Sequence, residues 1–331
     1  MDDLILSIIV PVYNVEEYIR TCYESMFAKE VDSRIEIILV DDGSTDNSGE
    51  ICEQVADSNN TRVFHKKNGG LASARNYGLK KARGKYVTFV DADDFINIKS
   101  LNQVLEYISC NTKDIVFLDI YKYYDDGKIV DIGNRIYKDE INGDSREEYI
   151  DYISSRPKFP ASVCSKIYLK SFLDKYSIVF PSDNRISEDM GFSFECLLHA
   201  SSYEIINIPF YYYRQNRENS ITSFINMKSF NGLSQFIVDS IDMYSTNGQP
   251  RDIFIKKMFN YLAYEYSILL WMYSYIKGEE KREAYCFLKK YSFVMKWSLT
   301  GRNKVIKCIV DCFGIRVTSR LLYLFKKLVA K

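Results

Sequence analysis

Three carboxylates within four positions, Asp91, Asp93 and Asp94, follow the apolar run Tyr86-Val87-Thr88-Phe89-Val90. Like charges so close repel one another, so they are either solvated helix caps or ligands of a shared cation, and oxygen donors suit Mg²⁺ or Mn²⁺. Residues two apart on an extended chain point to the same side, which aims Asp91 and Asp93 together and leaves Asp94 to cap the following helix. Mg²⁺ generally takes one or two protein carboxylates and completes its shell with a ligand's phosphates, so a metal-bound nucleoside diphosphate is the occupant this chemistry suggests.

The stretch NGGLASARN, Asn68 to Asn76, is compatible with that occupant. Gly69 and Gly70 let the backbone approach a ligand, and Arg75 supplies a fork-shaped donor for phosphate. Neither G-x-G-x-x-G nor G-x-x-x-x-G-K-[ST] occurs, which argues against a dinucleotide enzyme and a P-loop NTPase. The two histidines, His65 and His199, leave almost no material for a zinc site or a Ser/Cys-His triad, and each reads as structural. Eight cysteines stand in apolar segments without a C-x-x-C pair and read as reduced core residues of a cytoplasmic protein, Cys308 and Cys312 on one helical face included.

These residues need elements to position them. Leu4 to Val10 is nearly continuous apolar and β-branched, as a parallel strand covered on both faces should be. A helix follows over Glu17 to Ala28, a strand over Ile35 to Val40, and a helix from Asn47, where Asn47-x-x-Glu50 resembles a capping box. The series continues with a strand at Arg62 to Phe64, a helix over Gly70 to Ala82, the strand Tyr86 to Val90, a helix over Ile98 to Ser109 and a strand at Ile115 to Leu118. Such alternation predicts an α/β fold with an open parallel sheet, which binds ligands beyond the carboxyl ends of its strands. There stand PVYN (Pro11, Val12, Tyr13, Asn14), DDGSTDNS (from Asp41, Asp42, Gly43) and DADD (Asp91, Ala92, Asp93, Asp94). Each alone reads as a cap or turn, but their coincidence at successive strand ends points to one crevice.

With 331 residues, 47% of them apolar and 27% charged, the chain can bury a sizeable core and suits one large domain with a smaller partner. The acidic start and Pro11 exclude a signal peptide or membrane anchor from the reading, which leaves a cytoplasmic location. Tyr261 to Ile276 contains Glu265, falls short of a membrane span and reads as a core helix. The net charge is zero, yet from Lys296 onward nine basic residues stand against one acid, so a tail of +8 follows a body of −8. A basic tail on an acidic body suggests an anionic surface, membrane or nucleic acid. Beyond Phe224 helical patterns prevail. In the tail, Ile306, Ile309, Val310 and Phe313, then Val317, Leu321, Leu324, Phe325 and Leu328, form an apolar stripe, with Lys304, Lys307, Arg316, Arg320 and Lys327 mostly off it. That stripe either packs on the catalytic domain or lies on an anionic membrane.

At PVYN, VDDGSTDNS, NGGLASARNYGL, GKYVTFVDADD, FP (Phe180-Pro181), EDMGFSFE (from Glu188) and YYYRQNRENSIT (from Tyr211), the chain resembles the inverting family 2 glycosyltransferases of bacterial polysaccharide biosynthesis. The motifs run in family order over residues 4 to 223. The resemblance implies a GT-A fold, a Rossmann-like, mostly parallel sheet flanked by helices, over 1–223, with a helical C-terminal region over 224–331. It implies a nucleotide-diphosphate sugar donor, Mn²⁺ or Mg²⁺, a glycan or lipid-linked glycan acceptor, and no nucleic-acid partner.

The resemblance also implies roles. Pro11, Val12, Tyr13 and Asn14 belong to the base and ribose site, Asp41 accepts hydrogen bonds from the base, and Asp42 and Gly43 accompany it. Asn68, Gly69, Gly70 and Arg75 face the diphosphate or donor sugar. Asp91 and Ala92 lie on the ribose side, and Asp93, the last acid of D-x-D, ligates the metal with Asp91. Asp189 is the catalytic base, with Glu188 orienting it or the acceptor, although the pair also suits the first turn of a helix. Arg214 and Arg217 reach a phosphate or the acceptor. The alternative is a non-catalytic nucleotide-sugar or glycan-binding protein on the same fold, and a nucleotidyltransferase is a weaker third, because it needs a Gly-rich loop where PVYN stands.

Overall fold

The computed structural model describes residues 4–27, 30–56, 60–132, 136–141, 143–156, 160–181, 188–215, 225–247 and 249–329. The chain divides into two compact units, one of Met1–Arg146, Ala161–Asn184 and Gly191–Glu218, the other of Glu147–Pro160, Arg185–Met190 and Asn219–Lys331. The predicted boundary at residue 223 lies outside the described residues.

The first half of the chain alternates β1 (Leu6–Val12), α1 (Ile19–Glu24), β2 (Ile35–Asp41), α2 (Ser48–Val55), β3 (Thr61–His65), α3 (Leu71–Lys81), β4 (Tyr86–Phe89), β5 (Phe95–Ile96), α4 (Ile98–Cys110), β6 (Ile115–Tyr123) and β7 (Ile129–Asp131). After α5 (Arg146–Ser155) come β8 (Lys166–Leu169), α6 (Lys170–Lys175), α7 (Glu188–His199) and β9 (Tyr203–Arg214). Every residue of β1 and β2 is buried, as strands covered on both faces must be. That burial includes Glu36, whose carboxylate is satisfied by Ser7 Oγ at 2.7 Å, Arg83 N at 2.6 Å and Arg62 Nη1 at 3.1 Å. Burial alone would raise its pKa, but these hydrogen bonds outweigh it and hold the group below the ordinary value.

The sheet order is β3-β2-β1-β4-β8-β6-β9-β5, with β7 beside β6. β3, β2, β1 and β4 pair in parallel, as does β6 with β9, whereas β8 enters antiparallel between β4 and β6. The sheet is therefore mixed: β6 runs in the direction of β1, β2 and β4, as expected, but β8 stands between it and β4. The signal missed is β8, four residues headed by Lys166, which is buried with Nζ on the Ser162 carbonyl. A charge at the head of so short a strand hides its pattern.

Asn47 departs from expectation too. It is the residue before α2, but its side chain caps nothing; instead its N and Nδ2 donate to Glu16 Oε2 at 2.9 and 2.7 Å.

The second unit is built from α5 with α8 (Met227–Tyr244), α9 (Ile253–Met272), α10 (Glu280–Tyr291) and α11 (Gly301–Val329). α9 is its core helix, burying Met258, Phe259, Tyr261, Leu262, Tyr266, Leu269 and Leu270 around most of its circumference. Asn260 on that helix donates to the Ser154 carbonyl at 2.8 Å and accepts from Leu299 N at 2.7 Å, tying α5 and the segment that leads into α11 to it. A two-residue antiparallel pairing, Ser245–Thr246 with Gln249–Pro250, interrupts the helical pattern. Among the described residues no helix is long and apolar enough to cross a membrane. Four cysteines are buried, but Cys110, Cys286, Cys308 and Cys312 are exposed rather than core.

Candidate active site

β1, β2 and β4 lie side by side in parallel, so their carboxyl ends open on one edge of the sheet. Pro11 and Val12 are the last, buried residues of β1, and Tyr13 beyond them is 47% exposed. Asn14 takes a left-handed φ of 50°, which Asn tolerates better than most residues. That turn lets Asn14 Oδ1 accept from Thr45 N at 2.8 Å and Asn14 N donate to Ser44 Oγ at 3.2 Å, while Val15 N donates to Ser48 Oγ at 2.8 Å. The loops after β1 and β2 are thus one hydrogen-bonded structure.

Asp41 ends β2 opposite His65, the end of β3. Its carboxylate accepts from Ser44 N at 2.9 Å and from His65 Nδ1 at 2.8 Å, and His65 Nε2 donates to Glu53 at 2.9 Å. Carboxylates only accept, so both ring nitrogens carry protons in this arrangement. Burial opposes the Asp41 charge, but the bonds from His65 and Ser44 outweigh it and lower its pKa. The same bonds to Asp41 and Glu53 raise the His65 pKa above 6.5. A raised basic group stabilises the fold fully below its unfolded pKa and ceases to as pH rises through the folded one. His65→Gln is therefore expected to lower the melting temperature most below pH 6.5, with the difference closing at alkaline pH. NMR titration checks it: the His65 pKa should fall toward 6.5 in Glu53→Gln.

Asp42 is buried and turned the other way. Its carboxylate accepts from Gly69 N at 3.1 Å and Gly70 N at 2.7 Å and pairs with Lys66 Nζ. It is committed to holding the glycine turn. Gly43, at φ 74°, passes so close that an added Cβ would lie 2.9 Å from Asn68 N.

The DADD turn separates its three acids. Asp91 Oδ1 accepts from Arg75 Nη2 at 2.7 Å, and Arg75 is buried with its guanidinium 5.3 Å from the Phe180 ring centroid. Ala92 is buried, whereas Asp93 is partly exposed. Asp94 does not cap the next helix: it is buried, accepting from Tyr211 Oη at 2.5 Å and Arg214 N at 2.8 Å. The cap of α4 is Asn97, which accepts from Lys99 N at 3.0 Å and Ser100 N at 3.2 Å. Burial, then the charges of Asp93 and Asp91, push the Asp94 pKa up to about 8. Arg214 clamps this turn, donating to the Asp93 carbonyl at 3.1 Å and Asp125 at 3.2 Å with its guanidinium over Tyr18, Phe95 and Tyr123. Arg217 lies outside the described residues.

Glu188 and Asp189 open α7. One turn on, Phe192 stacks on Phe180 at 4.1 Å and meets Phe89 of β4 edge-on at 5.8 Å, while Asn76 and Phe180 exchange two hydrogen bonds of 2.8 Å. The FP motif is therefore a bracket between α3 and α7.

Residues 7–177 match the family model described as glycosyl transferase family 2. The chain belongs to glycosyl transferase family 2. Among relatives of this family 2 member, the uncharacterized glycosyltransferase EpsJ of Bacillus subtilis is 34% identical over 224 residues, 66% of this chain and 63% of EpsJ, so the chain spans under two thirds of that relative's length. The putative glycosyltransferase EpsH of the same organism is 31% identical over 75% of this chain and 71% of its own length. In structure it is similar to Staphylococcus aureus TarS 1-349 in complex with UDP-GlcNAc, with a TM-score of 0.69 at 20% identity, covering 98% of this chain and 92% of that one. The fold is GT-A. The sequence assigns His65 only a structural part and singles out neither Ser44 nor Lys66, although His65 closes β3 beside Asp41, where the strand-end rule places a ligand site.

Proposed function

We propose that this chain moves a hexose or N-acetylhexosamine from a UDP-linked sugar to a hydroxyl of a glycan or lipid-linked glycan in surface polysaccharide biosynthesis, with inversion at the anomeric carbon. The observation that carries this is the hydrogen-bonded joining of the PVYN, DDGS, NGG and DADD segments at one edge of the sheet of a family 2 domain. The UDP-GlcNAc complex of TarS, a protein of like fold, supports the choice of donor.

In this reading residues 1–223 bind the donor and carry the chemistry in the cytoplasm, and residues 224–331 form a helical C-terminal region. Tyr13 and Asp41 receive the base, and Pro11, Val12 and Asn14 form the floor beneath it. Asp42 and Gly43 act through the glycine turn, which with Asn68, Gly69, Gly70 and Arg75 faces the diphosphate. Asp91 and Asp93 are two carboxylates, and among the described residues no larger His, Cys, Asp and Glu cluster forms a metal cage. Such a pair fits Mg²⁺ or Mn²⁺ completed by phosphate oxygens. Bound there, the ion would neutralise charge on the departing diphosphate. Asp189, oriented by Glu188, takes the proton of the acceptor hydroxyl. The oxygen then bonds to the anomeric carbon as the bond to the diphosphate breaks on the opposite face.

A panel of UDP- and GDP-sugars, assayed for metal-dependent hydrolysis and transfer, tests this. One UDP-sugar is expected to turn over. Tight nucleotide binding without turnover of any donor would instead identify a binding protein.

A further inference from the structure

The last helix wears its apolar side outward. α11 bends at Gly314, whose φ is 76°, and beyond the bend Ile315, Thr318 and Ser319 are the buried residues. Ser319 is held by Ser274, whose Oγ lies 2.6 Å from Ser319 Oγ and 3.0 Å from its carbonyl oxygen. Tyr323 meets Tyr275 at 5.3 Å, and Lys326 lies over the Trp271 ring. On the side away from these contacts, Val317, Leu321, Leu324, Phe325 and Leu328 are between 45 and 75% exposed. Their spacing places them on a single stripe.

Of the two readings of this stripe, inward packing fails beyond Gly314. Ile306, before the bend, does turn inward and is 4% exposed. An ordinary surface helix buries its leucines and exposes its serines; this segment does the reverse. At 100° per residue Arg316, Arg320 and Lys327 share one border of the stripe, and all three are exposed. From Ile315 onward the sequence has five basic residues and no acid.

A contiguous exposed apolar strip marks a surface awaiting a partner. We propose that this face of α11 docks on the leaflet of an anionic phospholipid membrane, the apolar stripe entering the acyl boundary and the basic row meeting the headgroups. Charge selects this occupant, because a second copy of the same face has no acid to answer the row. The inference goes beyond sugar transfer and stands or falls separately from it, since neither the stripe nor the row belongs to the donor site.

The test is co-sedimentation of the full chain with vesicles of phosphatidylglycerol mixed into phosphatidylcholine and with vesicles of phosphatidylcholine alone. The chain is expected to bind the mixed vesicles preferentially and to be released by salt. Replacing Arg316, Arg320 and Lys327 by Gln together should weaken partitioning on the order of a hundredfold, at about fivefold for each charge near the surface. Leu321→Glu with Phe325→Glu, at exposed positions, should abolish binding and leave the circular dichroism melt unchanged. Equal binding to both vesicle types, no binding, or binding unaffected by either variant would overturn the proposal. So would a lipid-free dimer in sedimentation equilibrium that the Glu variants dissociate, which would assign the stripe to self-association.

Discussion

Asp189→Asn is expected to lower turnover by about 10²–10⁴-fold, the usual contribution of a positioned general base, with nucleotide affinity unchanged. The amide keeps the shape of the carboxylate but cannot take the acceptor proton. A smaller effect must be told apart from it, because Asp189 stands in the first turn of α7, where a negative charge also favours the helix. That favour is worth about 0.3–1 kcal/mol and would appear as a shift in melting temperature. Turnover measured at saturating donor, set beside the thermal melt, separates the two. If donor affinity collapses while turnover survives, Asp189 binds and does not catalyse. Phe192, stacked on Phe180 one turn away, anchors the helix independently of the substitution.

Asp93→Asn is expected to lose at least 10–100-fold in metal affinity in the presence of UDP, since even outer partners of metal ligands cost that much. Mn²⁺ titration followed by electron paramagnetic resonance reads this directly, without relying on transfer. The fold should persist, because Asp93 is partly exposed and its carbonyl, which accepts from Arg214 Nε at 3.1 Å, is unaltered. Full activity of the native chain in excess EDTA would refute metal dependence.

Much of this protein is legible in its sequence. β1, β2 and β4 were readable because a strand buried on both faces must be apolar along its whole length, a property carried by consecutive residues. α3 and α4 were readable for the same local reason, periodicity and stop signals. The polar clusters stood out because acids and glycines at the ends of such strands conflict with burial unless something occupies the edge.

Tertiary structure decided what depends on residues far apart in the chain. β8 slots between β4 and β6 through pairings that a four-residue segment headed by a buried lysine does not announce. Asp94 looks like a cap from its neighbours, yet Tyr211 and Arg214, more than a hundred residues on, draw it inward. Asp41 and His65 become partners only when β2 and β3 align. Periodicity showed that the last helix has two unlike faces; which of them is buried was set by Ser274, Trp271 and Tyr275. A sequence determines elements and the residues at their ends, because those signals lie within a few positions. Pairing, burial of a given charge and the facing of a helix follow from packing, in which the deciding partner sits elsewhere in the chain.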